Sequence, residues 1–126
     1  MTTRRRAIAT GTTCVALAVA GLPAPAEPGE AAALVRALGS RGSARAVGAA
    51  YLAAFAEEAE AATLVRALIS DPATRHALAA GSGPDALQGA IAAAVRADFL
   101  ARRVVKLDGW ILSRTECRLC GLACLA

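Results

Sequence analysis

Val104-Val105-Lys106-Leu107-Asp108-Gly109-Trp110-Ile111-Leu112-Ser113-Arg114-Thr115-Glu116 is where the chain changes its local habit. Val104 to Leu107 is a short β-branched, extended run. Asp108-Gly109 is a strong two-residue hairpin signal, because both central positions of a type I′ turn need φ > 0. Trp110 to Leu112 is then the returning strand. In this register Leu107 faces Trp110 and Val105 faces Leu112. These four form one apolar face, with Lys106 on the other. A hairpin of this size is marginal alone, so the apolar face is expected to pack on helices with Trp110 as its anchor. Ser113 and Glu116 stand at N-cap and N3 of a capping box, which opens a last helix from Arg114 to about Leu125.

Everything upstream reads as helix and breaks. Glu30–Leu38 presents Leu34, Val35 and Leu38. Gly39 to Ser43 interrupts, and Ser43 caps Ala44–Phe55, with Val47, Tyr51 and Phe55 at four-residue spacing. Glu57–Ile69 follows, its acidic start matching the helix macrodipole. Asp71 with Pro72 begins a helix to about Ala80. Gly81-Ser82-Gly83 is a loop, and Pro84 opens the longest helix, to about Arg102. Its apolar face is Leu87, Ile91, Val95 and Phe99. The segment Glu30 to Leu38 recurs as Glu60 to Leu68 with eight of nine positions identical. An alanine-rich chain reaches such an echo by low complexity more readily than by repeat architecture. The expected fold is mainly α: a small helical bundle with one C-terminal β-hairpin at 104–112 packed on it.

The first 26 residues have the order of a cleavable export signal: Arg4-Arg5-Arg6, an apolar stretch from Ile8 to Leu22, and Ala24-Pro25-Ala26 as the cleavage site. Thr3-Arg4-Arg5 with Ile8 resembles the twin-arginine (Tat) motif, and the weak apolar stretch suits that route. Residues 27–126 are then a single small helical domain, and the protein is expected to be exported, to the periplasm or another extracytoplasmic location. Of 14 basic and 10 acidic residues, cleavage removes three arginines and no acid, so the overall +4 falls to +1. The basic balance therefore speaks of export and not of nucleic acid. Of the 126 residues 35 are alanine, so a composition that is 56% hydrophobic builds only a thin core. Contact with a membrane is expected only through the signal, were it left uncleaved.

The block from Val95-Arg96-Ala97-Asp98-Phe99 through Val104 to Leu119 resembles the ending of a group of small bacterial exported proteins. These pair a Tat-type signal with an R-x-D-F … V-V-x-x-D-G-W-x-L-S-x-T-E-x-R-L pattern. Gly48, Tyr51-Leu52 and Glu57-Glu58-Ala59 are similar to a G-x-x-Y-L-x-x-x-x-E-E-A stretch of the same group, to which no activity is assigned. Cys117 and Cys124 depart from the group's alanine-like residues. In size, signal and helicity the chain is also similar to the Tat-bearing small subunits of periplasmic gluconate, sorbitol and fructose dehydrogenases.

Candidate chemistry is sparse. Cys117, Cys120 and Cys124 form C-x2-C-x3-C on one helical face. They admit three readings: a core face, disulfide or intermolecular pairing, and a metal or thiol-redox site. His76, the single histidine, has no ligand-spaced neighbour. Asp98 with Arg96, and Glu116 with Arg118, suggest surface pairs and capping. No nucleophile, base and acid can be assembled into a catalytic set, and no cofactor is implied. The functional expectation is a non-catalytic accessory protein, the small subunit or export partner of a larger periplasmic oxidoreductase. The alternatives are a small thiol-redox or metal-binding protein using the three cysteines, and a structural protein tethered by its uncleaved signal.

Overall fold

The structure, a computed structural model, describes residues 28–38 and 42–125. Arg4, Arg5, Ala24 and Ala26 lie outside the described residues. In chain order the elements are α1 (Pro28–Arg36), α2 (Gly42–Ala54), a 3₁₀ turn (Ala56–Glu58), α3 (Ala61–Ile69), α4 (Pro72–Ala79), α5 (Pro84–Leu100), β1 (Val104–Leu107), β2 (Trp110–Ser113) and α6 (Arg114–Leu125). The protein is mainly helical, with one small antiparallel hairpin near the C-terminus.

The last helix is the centre of the bundle. Cys117, Leu119, Cys120, Gly121, Leu122 and Ala123 are all buried, so α6 is enclosed around most of its circumference. A helix covered on all sides needs neighbours on all sides, and α1, α2, α3, α5 and both strands pack against it. Leu34 and Val35 of α1 and Leu64 and Val65 of α3 join the same core. The two copies of the echoed nonamer thus bury the same Leu-Val pair.

The crossing of α2 and α6 is unusually close. A Cβ on Gly48 would overlap the Cys120 carbonyl group and lie 2.9 Å from the Gly121 nitrogen. On the facing helix, a Cβ on Gly121 would meet Leu52 Cδ2 at 3.2 Å. Paired glycines let the two backbones approach to a distance that any side chain would forbid.

Helix α6 starts with its exposed N–H groups fully engaged. Glu116 N–H donates to Ser113 Oγ at 3.0 Å, and Ser113 N–H donates to Glu116 Oε1 at 3.1 Å, closing the capping box in both directions. Thr115 N–H donates to Asp98 Oδ2 at 2.8 Å, and Arg114 N–H to the Arg103 carbonyl at 3.0 Å. The end of α5 therefore caps the start of α6. That end has its own cap: Arg103 N–H bonds the Asp98 carbonyl and Arg102 N–H the Phe99 carbonyl, with Arg102 at φ 62°. These are the paired bonds of a Schellman motif.

The hairpin has the expected register, Val105 opposite Leu112 and Leu107 opposite Trp110. Asp108 and Gly109 have φ of 47° and 85°, as a type I′ turn demands.

Four expectations need correction. The third helix begins at Ala61, not Glu57: Glu60 is extended and Ala56–Glu58 is a separate 3₁₀ turn. This break turns Glu58 inward, so it serves a buried ion pair and not the macrodipole. On α5, Phe99 is 45% exposed while Asp98 is buried, because the inward position is used to cap α6. Asp98 pairs with Arg103, and Arg118 with Glu58, not with their helical neighbours, while the capping expected of Asp98 and Glu116 is present. Trp110 does not anchor the hairpin. Val105 is buried and Leu107 and Leu112 are partly so, but Trp110 is 73% exposed. Across the groove from it, α2 contributes the small side chains Ala46 and Ala50.

Candidate functional site

Two arrangements are chemically distinctive, one polar and inside, one apolar and open. The polar one is centred on Glu58. Arg118 grips its carboxylate with two bonds, Nε to Oε1 at 3.0 Å and Nη2 to Oε2 at 3.2 Å. Arg114 Nη2 donates to Oε2 at 3.2 Å, and the Tyr51 hydroxyl donates to Oε1 at 2.8 Å. Arg114 Nε donates to the Tyr51 oxygen at 3.0 Å, closing the ring. The Arg114 guanidinium also lies 4.6 Å from the Phe55 ring centroid, and Phe55 stacks on Tyr51 at 4.7 Å.

The electrostatics follow from these contacts. The Arg118 bonds lower the Glu58 carboxyl most, and Tyr51 adds to them against the opposing effect of burial, which leaves it at about 2. Burial raises the Tyr51 phenol. Burial also pushes Asp98 up, but the bonds from Thr115 and Arg103 outweigh it, so Asp98 sits below its ordinary value. Each oxygen of Glu58 already accepts two bonds, one for each of its lone pairs. The cluster is built to hold the turn before α3 against α6, not to move a proton.

Neither Tyr51 nor Arg114 was singled out for this role from sequence. Their contacts to Glu58 and to each other span 7 to 63 residues of chain, beyond any local pattern.

The three cysteines separate by environment. Cys117 and Cys120 are buried and Cys124 is exposed, and all three are free thiols. Burial pushes the Cys117 thiol up to about 12 and that of Cys120 to about 11. Thiols held protonated are poor nucleophiles and poor metal ligands. Among the described residues no group of three His, Cys, Asp or Glu could hold a metal ion. His76 is exposed. In the native protein a thiol reagent is expected to modify Cys124 within minutes. Cys117 and Cys120 are expected to react only as the protein unfolds, which mass spectrometry of labelled peptides would read directly. Fast native labelling of Cys117 would restore the thiol-redox reading.

The apolar arrangement is a groove of about 360 Å³ between α2 and the hairpin. Ala46, Val47 and Ala50 line one wall, and Leu107, Trp110 and Leu112 the other. The small residues of α2 that leave Trp110 uncovered also create this space. The capped start of α6 and the Asp108-Gly109 turn hold the second wall in place. An open apolar groove walled by an exposed tryptophan has the composition of a recognition surface, since buried aromatic anchors carry much of the energy of protein interfaces. Comparison of the chain with family models, with curated proteins and with solved structures finds no match.

Proposed function

We propose that this chain is an exported, non-catalytic accessory protein that binds a larger partner, a periplasmic oxidoreductase, through the groove between α2 and the hairpin. The observation that carries the reading is Trp110, which is 73% exposed on the wall of an apolar groove. A large aromatic side chain left in water gains most when a partner covers it. Two further points support an accessory role. The polar groups with shifted proton affinity are committed to one another, and the buried thiols are held protonated. The order of basic start, apolar stretch and Ala24-Pro25-Ala26 supports export.

The test is affinity capture from the exported fraction with the wild-type chain and with Trp110→Ser. The wild type is expected to retain one stoichiometric partner, and Trp110→Ser to weaken it by about thirtyfold with an unchanged melting temperature. A wild-type chain that stays monomeric and retains nothing would refute the proposal, as would capture indifferent to Trp110→Ser.

A further inference from the structure

The other face of the hairpin and the end of α5 carry exposed apolar and basic side chains that do not line the groove. On α5, Arg96, Phe99 and Leu100 are spaced three and four residues apart and share one outward face. On the hairpin, Lys106 lies directly opposite Ile111, with Val104 diagonal to it, on the side away from the groove. Only the turn Ala101–Arg103 separates the two faces. Leu100 is 87% exposed, Ile111 59% and Val104 37%. Arg96, Arg102 and Lys106 are exposed among them, and none pairs with an acid among the described residues. Within 96–111 the acids are Asp98, which is buried and committed to Arg103 and α6, and Asp108, which is exposed at the hairpin turn.

We infer that this surface, Phe99-Leu100 with Val104 and Ile111 ringed by Arg96, Arg102 and Lys106, seats the protein on an anionic lipid bilayer. Exposed apolar side chains accompanied by cations unpaired among the described residues favour an anionic bilayer over a protein partner. The apolar side chains stand off a helix end and a strand face, and the groove described above is lined by other residues. Protruding apolar groups enter the interfacial region without needing a complementary pocket, while the cations around them meet anionic headgroups. Among the described residues no helix is long and apolar enough to cross a membrane, so this is a surface contact. The groove with Trp110 lies on the other face of the hairpin and stays open to a protein.

The probe is a set of vesicles, one of pure phosphatidylcholine and one of equal parts phosphatidylcholine and phosphatidylglycerol. Cosedimentation is measured for the protein purified from the exported fraction and for variants sharing its N-terminus, which cancels any contribution of residues 1–27. Wild type is expected to bind the anionic vesicles at least tenfold more tightly than the neutral ones, and to release as salt rises. Leu100→Ser with Ile111→Ser, and separately Arg102→Glu with Lys106→Glu, are each expected to weaken binding about tenfold. Trp110→Ser, the variant that tests partner binding, is expected to leave vesicle binding within about twofold. Equal binding to both vesicles, no binding, or binding indifferent to both double variants overturns the inference. So does recovery of an acidic protein whose capture the double variants abolish while vesicles are ignored. Neither result bears on the groove.

Discussion

Gly48→Ala is expected to lower stability by about 3 kcal/mol or more, although it adds one methyl group in the middle of a helix. The new Cβ would overlap the Cys120 carbonyl group, and both are main-chain neighbours within regular helices. Neither can rotate away, so α2 and α6 must separate along the contact that encloses the core. Gly89→Ala is the internal control. Gly89 also sits inside a helix, but a Cβ there meets nothing within 4 Å. There the ordinary propensity gain should stabilise by about 0.5–1 kcal/mol. Urea or thermal unfolding of the two variants should thus move in opposite directions. A Gly48→Ala protein as stable as the wild type would mean that the helices do not cross at this glycine.

Glu58→Gln should have the second-largest effect, and it should depend on pH. The carboxyl falls from 4.5 to about 2 in the folded protein, chiefly through Arg118. Such a shift corresponds to about 3 kcal/mol, which the partial exposure of both arginines reduces to about 2 kcal/mol. The folded carboxyl holds its proton less tightly than the unfolded one. Its stabilisation is therefore complete above about pH 4.5 and is lost as the pH falls through about 2. At neutral pH Glu58→Gln should cost about 2 kcal/mol, because the amide leaves two half-buried guanidinium groups short of their anion. Between pH 4.5 and 2 the gap between the variant and the wild type should close. Denaturation curves at several pH values would show it. A gap that stays constant down to pH 2 would place the energy elsewhere than in the charge of Glu58.

Helix positions were legible because their signals are local. Pro72 and Pro84 at first turns, Asp71 at an N-cap, and Gly81 and Gly83 between helices all act within a few residues. The capping box and the Asp108-Gly109 turn are local in the same sense, and so is the strand register that the turn sets. The outward exposure of Trp110 was not legible. Period-two alternation assigns it to the face shared with Val105, but how far that face is covered depends on Ala46 and Ala50, some sixty residues earlier in the chain. The inward turn of Glu58 was equally hidden. An acidic run before an apolar stretch reads as a helix start, and only the arrival of Arg114 and Arg118 makes burial of the carboxylate tolerable. Which helix Asp98 caps was hidden for the same reason, since its partner at Thr115 belongs to the next helix, across the hairpin.

By itself the sequence determined, among the described residues, the six α-helices and two strands, the hairpin register and the cap of the last helix. Propensities, caps and tight turns are settled by residues within one or two turns of one another. The tertiary structure alone decided which side chains face which. It brought Gly48 onto the backbone of Cys120, closed the Tyr51–Glu58–Arg114–Arg118 ring, and left Trp110 over an open groove. Those outcomes are set by how closely helices approach and by which side chains fill the space between them, quantities that no local pattern of residues contains.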